Sequence, residues 1–329
     1  MLVSSGKSLL LLGLLALLCV LSTGFSLATG SVELSAAELW SALTRREVSL
    51  QTQIVWELRL PRTLAALLTG GLLGMAGVIM QVLLRNPLAD PYILGVSGGA
   101  AAGALLVILT GFGAFWVPQA AFAGAIFSIL LVFGLATAGG RWSVTRLLLT
   151  GVVVSAGWGA VINILLSSTA TNTVQSMLFW LMGDLSQSSA TAWQIGILAA
   201  GLVAGLFIAR SMNVLLLGDN AALALGVDVP RLRIMLYLAA SVLTATAVTI
   251  AGSIGFVGLI IPHLLRLLGA RDHRLLIPLS IMLGGSFLVV ADSLARTLVA
   301  PQQLPTGVVT ALIGVPVFLV ILRSTIKQH

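Results

Sequence analysis

Ten runs of mostly apolar residues dominate this chain: 8–28, 58–84, 93–110, 115–138, 144–167, 191–210, 233–250, 253–269, 275–298 and 305–323. A helix of about 20 residues, rising ~1.5 Å per residue, covers the ~30 Å hydrocarbon layer of a bilayer. Inside that layer no water satisfies backbone N–H and C=O groups, so a helix, which satisfies its own, is the form these runs must take. The pattern predicts an all-α polytopic membrane protein with about ten transmembrane helices, a single transmembrane domain over residues 1–329. Two points stay open at this level. The run after Lys7 has the basic start and apolar middle of a secretory signal, and it is also long enough to be a first span. Only Ala251-Gly252-Ser253 divides the seventh run from the eighth, and one long broken helix is the alternative to two there.

Composition excludes a water-soluble alternative. Charged residues are 8% of the chain and hydrophobic residues 58%, whereas a soluble domain carries about 25% charged residues. The 35 glycines suit helices that pack closely within a membrane. The net charge of +7 comes from basic residues scattered singly between apolar runs, which speaks for orientation in the membrane and against nucleic acid. With an even number of spans both termini share one side. With that side cytoplasmic, only Arg45, Arg46, Arg59, Arg62 and Arg296 of the 17 Lys and Arg residues fall outside, as the positive-inside rule requires.

Three stretches are neither long nor apolar. Residues 29–57 and 168–190 fall outside, the second with a polar start and a short helix ending near Gly183-Asp184. Residues 211–232 fall inside, contain Gly218, Asp219, Asn220, Gly226, Asp228 and Pro230, and have room for two small surface helices. A weak internal repeat is also present: Gly74, Gly77, Leu83, Leu84 and Arg85 recur at constant offset as Gly255, Gly258, Leu264, Leu265 and Arg266.

No catalytic or metal-binding constellation emerges. The 10 acidic residues form no adjacent pair, and His263, His273 and His329 lack metal-ligand spacing. Cys19, the single cysteine, permits neither an intrachain disulfide nor a thiolate cluster. Gly6-Lys7-Ser8 matches only the tail of a phosphate-binding loop, since the earlier glycine position is Met1. Neither a catalytic residue nor a cofactor is expected. Ion-coupled carriers need ionisable groups at mid-membrane, and the span interiors here are nearly free of them. Asp292 lies within helical reach of Arg296 and reads as half of a structural ion pair or as a coupling site. His263, after Pro262, reads as a packed core histidine. A pathway without an internal engine suits a permease driven by a separate subunit; an ion-coupled secondary transporter is the alternative.

The loops sharpen this. Arg59-Leu60-Pro61-Arg62-Thr63-Leu64, Asn86-Pro87-Leu88-Ala89-Asp90-Pro91, Leu94-Gly95-Val96-Ser97-Gly98-Gly99-Ala100, Gly255-Phe256-Val257-Gly258-Leu259-Ile260-Ile261-Pro262-His263 and Pro305-Thr306-Gly307-Val308-Val309-Thr310 follow one another in order. Together they resemble the permease family of ATP-binding-cassette importers for ferric siderophores, cobalamin and haem, over about Arg59 to Ile321. The resemblance implies a cobalamin-permease-like bundle of ten helices in a bacterial inner membrane. It also implies a second permease subunit, most simply a homodimer, with ATPase subunits below and a periplasmic substrate-binding protein above.

Residue roles follow from the same resemblance. Arg59, Arg62 and Arg296 stand where arginines of the cobalamin-type permease receive glutamates of the binding protein. Asn220, Ala221, Ala222 and Gly226 match the ATPase-coupling segment, with Asn220 in place of its usual glutamate. Asn86 and Ser143-Val144-Thr145 match the cytoplasmic gate, where Val144 departs from the hydroxyl residue of the cobalamin permease. Gln175 stands where some relatives carry arginine, which turns the substrate expectation from haem toward ferric siderophore first and cobalamin second.

Overall fold

The computed structural model describes residues 5–30, 34–44, 49–138 and 143–326. Glu33, Arg45, Arg46, Glu47, Arg141, Lys327 and His329 lie outside the described residues. The described chain is helical in α1 (Ser5–Ala28), α2 (Ala36–Leu43) and α3 (Leu50–Gln53), which runs through a π-helical stretch, Ile54–Arg59, into α4 (Leu60–Leu83). A 3₁₀ turn, Pro91–Leu94, leads to α5 (Val96–Thr110), then α6 (Trp116–Thr137), α7 (Val144–Ser167) and α8 (Thr171–Met182). Next come α9 (Ala192–Leu215), α10 (Asp219–Ala224), α11 (Val229–Ala251), α12 (Val257–Leu267), α13 (His273–Thr297) and α14 (Thr306–Ile326). Seven helical stretches are long and apolar enough to cross a membrane, and the shorter apolar stretches α5, α12 and Thr306–Val320 of α14 make up the rest of the ten predicted runs.

α4 is the axis of the bundle. Its span window is 89% buried, against 11% for α7, and it is packed by α13, α11, α12, α9 and α1. The exterior is apolar instead: Phe207 on α9 is 83% exposed, as lipid-facing side chains must be. Glycine decides how closely α4 is approached. A methyl group on Gly70 would overlap the Gly284 carbonyl of α13, and one on Gly77 would overlap the Gly258 backbone of α12. Backbone-to-backbone approach of this kind gives van der Waals contact where no hydrophobic effect drives helices together. Gly77 and Gly258 are also counterparts in the internal repeat, so the two copies meet each other at that position.

The seventh and eighth runs are separate helices. α11 stops at Ala251, Gly252 adopts φ +66°, and its backbone lies against the Trp180 carbonyl at the end of α8. Asp184 N–H donates to the Ala251 carbonyl (2.9 Å) and Gly307 N–H to the Gly183 carbonyl (3.1 Å), tying the ends of α8 and α11 to the start of α14. α12 is then only 11 residues long, about 16 Å, because the chain between Gly252 and Phe256 is not helical. The expected pair of small helices in 211–232 is reduced to one, α10, since α9 extends to Leu215 and α11 begins at Val229.

Candidate functional site: an arginine cluster and a loop at opposite ends of the bundle

At the end of the bundle where α1 finishes and α4 begins, the three predicted docking arginines come together. Arg59, Arg62 and Arg296 are 5%, 7% and 9% exposed; they are interior side chains with interior partners. Arg59 Nη1 donates to the carbonyls of Leu27 (2.7 Å) and Ala28 (2.9 Å), the orphan acceptors at the end of α1. Arg62 donates through Nε to both Asp292 oxygens (3.0 Å each) and through Nη2 to Oδ1 (2.8 Å), while its Nη1 reaches Gln303 Oε1 (2.8 Å). Arg296 Nε pairs with Asp292 Oδ2 at 3.2 Å, and its Nη2 donates to Ser26 Oγ (2.9 Å) and the Ser26 carbonyl (3.2 Å). Thr306 Oγ1 donates to Asp292 Oδ1 (3.0 Å).

One buried carboxylate thus joins α4, α13 and the start of α14, and two of the arginines cap α1. The structural ion pair expected between Asp292 and Arg296 is present, and Arg62 is a second partner that sequence reasoning missed. The three arginines also line a cavity of about 490 Å³ with Glu57, Ser186, Gln187, Ser188, Ser189 and Gln303. A second, apolar groove of about 540 Å³ runs from Met182 along Gly307, Val308, Ala311 and Val315.

On the opposite end lies the 211–232 segment. Asn220 is exposed, Ala221 half-buried and Ala222 fully buried. Gly226, at φ +79°, closes α10 in a left-handed turn: its N–H donates to the Leu223 carbonyl (3.0 Å) and the Val227 N–H to Ala222 (2.9 Å). Leu217, Leu223 and Leu225 are 69%, 56% and 64% exposed, an apolar edge on an otherwise polar loop. Asp219, the first residue of α10, pairs with Arg85 after α4 and with Arg233 Nη2 of α11 (2.8 Å). Arg85 drew notice from sequence only as a member of the internal repeat and Arg233 not at all, because nothing local marks either as a partner of Asp219.

The predicted gate residues make local hydrogen bonds. Asn86 Oδ1 accepts from Leu88 N–H (2.9 Å), and Ser143 Oγ caps α7 by accepting from Arg146 N–H (3.4 Å). Val144 is half-buried and Thr145 exposed. Farther along the Asn86 loop, the half-buried Asp90 accepts from Tyr92 N–H (2.8 Å). Desolvation pushes its carboxyl up to about 6, with the Tyr92 hydrogen bond opposing. Gln175 is exposed on α8. Among the described residues no group of His, Cys, Asp or Glu could hold a metal ion.

A family model for the FecCD transport family matches residues 15–324. The chain belongs to the FecCD transport family. This FecCD chain is 44% identical to the cobalamin import system permease of Halobacterium salinarum, over 82% of this chain and 73% of that one. It is 38% identical to the hemin transport system permease of Yersinia pestis, over 96% of both. Its fold matches a solved ABC transporter assigned to the metal-chelate type, in an inward-facing conformation, with a TM-score of 0.85 and 32% identity over 96% of this chain and 99% of that one. The FecCD chain is a multi-pass membrane permease of the cobalamin-permease-like importer class.

Proposed function

We propose that the chain is the membrane-spanning subunit of an importer that moves a metal chelate from periplasm to cytoplasm, a ferric siderophore first, cobalamin second and haem third. The observation that carries this is the whole-chain match to a metal-chelate type transporter, joined to relatives named for cobalamin and hemin. In this reading both termini are cytoplasmic, ATPase subunits grip α10 through Leu217, Leu223 and Leu225, and a second copy of the chain faces the apolar groove along α14. Asn220, Ala221, Ala222 and Gly226 form the coupling segment, and Asn86 with Ser143, Val144 and Thr145 the inner gate. A periplasmic binding protein sits over the outer cavity, and its acidic side chains reach Arg59, Arg62 and Arg296 from the cavity side, in competition with the partners those arginines already hold.

The test is uptake into proteoliposomes holding the chain with the ATPase that copurifies with it. ATP-dependent accumulation of a ferric siderophore above cobalamin and hemin is expected. Uptake of all three that is indifferent to ATP and follows an ion gradient would overturn the assignment.

A further inference from the structure

Three helices of this bundle end in the same hydrogen-bonded turn, and one of them is built with the wrong residue. In each turn the residue after the C-cap donates to the carbonyl three back, and the next residue to the carbonyl five back. Gly226 and Val227 do so after α10, and Gly269 and Ala270 after α12. Arg85 and Asn86 do so after α4, to Val82 (3.2 Å) and Gln81 (3.1 Å). The turn places its first residue in the left-handed region, where glycine is favoured because a Cβ crowds the backbone. Gly226 and Gly269 sit there at φ +79° and +97°, and Arg85 sits there at φ +47°. At this position the Arg85 side chain makes a contact that glycine could not.

The task is visible in the ion pairs. The Arg85 guanidinium reaches Asp219, which opens α10. The same carboxylate accepts from Arg233 Nη2 through both oxygens (2.8 and 3.0 Å) at the start of α11. Asp219 therefore bonds the end of the central helix, the coupling helix and the helix that follows it. Arg85 is the immediate chain neighbour of Asn86, whose loop is stiffened by its own side chain (Asn86 Oδ1 to Leu88 N–H, 2.9 Å).

We propose that Asp219, through Arg85, is the positioning residue that makes the coupling helix and the Asn86 loop move as one body. The inference rests on reading α10 as the ATPase contact. Push or pull on α10 is carried through the carboxylate to the end of α4 and the gate loop, whose backbone is already committed to one turn. Arg233, on the same carboxylate, ties the start of α11 into the same unit.

The experiment uses the full chain in nanodiscs, Cys19→Ser, with spin labels at Ala224→Cys and Leu88→Cys, and with the ATPase that copurifies. The distance between labels is measured without nucleotide and after trapping with ATP and vanadate. A narrow distance in both states is expected for the parent chain, with label mobility at Leu88 responding to trapping. Asp219→Asn and Arg85→Gly should each broaden the distribution and reduce the nucleotide response severalfold while the ATPase stays bound. Asp219→Glu should retain both. Arg85→Gly separates linkage from stability: it relieves the left-handed backbone, so its melting temperature should hold or rise while the link is lost. A narrow distance and a full nucleotide response in Asp219→Asn and Arg85→Gly would overturn the proposal. If no ATPase copurifies with the parent chain, the reading of α10 fails, and the label distance in the isolated chain still decides whether Asp219 makes the link.

Discussion

Replacing Asp292 by Ala should be among the most damaging single changes in the bundle. Its side chain is 1% exposed and pairs with Arg62 and Arg296, whose side chains are 9% and 8% exposed. Removal leaves two interior guanidinium groups facing one another and strips an acceptor from Thr306. Breaking a buried pair by deleting one partner costs about 3–5 kcal/mol, because the other charge stays buried without compensation. At about 2 °C per kcal/mol for a large domain, the melting temperature in detergent should fall by about 6–10 °C. A fall of less than about 2 °C would refute the account of Asp292 as the anchor of α4, α13 and α14. A triple variant, Arg62→Met, Asp292→Leu and Arg296→Met, distinguishes structure from docking. Exchange of a buried ion cluster for apolar groups is often neutral or stabilising, so most of the stability should return. Affinity for the periplasmic partner should not, and in the parent chain that affinity should weaken with added salt.

Two further outcomes follow from packing and protonation. Gly77→Ala should cost about 1–3 kcal/mol through overlap with the Gly258 backbone, whereas Gly134→Ala, with nothing within 4 Å, should be neutral or mildly stabilising; equal melting temperatures for the two variants would contradict the close-approach argument. Asp90 has a carboxyl raised to about 6 in the fold from 3.8, so the folded chain binds the extra proton in that window and stability should fall as pH rises through it. Asp90→Asn keeps the acceptor for Tyr92 N–H and should flatten that part of the pH–melting profile; an unchanged slope would remove the assignment.

The short helices bear on what such a bundle can do. α12 begins only after the non-helical Gly252–Phe256 stretch, and its Pro262 removes one more backbone donor. Irregular backbone in a membrane bundle is tolerated where protein surrounds it, and here Trp180, Gly183 and Tyr92 do so: Tyr92 Oη accepts from Ile254 N–H (3.3 Å). Three chain segments meet at that break, so a change in any one is felt by the others.

Hydropathy marked out the order of the apolar runs from sequence alone, because bilayer thickness sets a run length that a one-dimensional scan can read; whether the seventh and eighth runs were two helices was decided by the structure. The short helix before Gly183 was legible for a similar reason: polar onset and glycine act over a few neighbouring residues. The motifs Arg59–Leu64, Asn86–Pro91 and Pro305–Thr310 carried the family. Tertiary structure decided the rest. α4 is the buried axis although its hydropathy resembles that of α7, since centrality depends on which glycines face Gly258 and Gly284 across the bundle. Arg59, Arg62 and Arg296 come together at one end of the bundle, but their burial depends on Asp292, Ser26 and the end of α1, up to 270 residues away in sequence. The left-handed Arg85 and its tie to Asp219 were hidden for the same physical reason: a helix end records its own cap locally, while the partner of a charged side chain is chosen by how the helices pack.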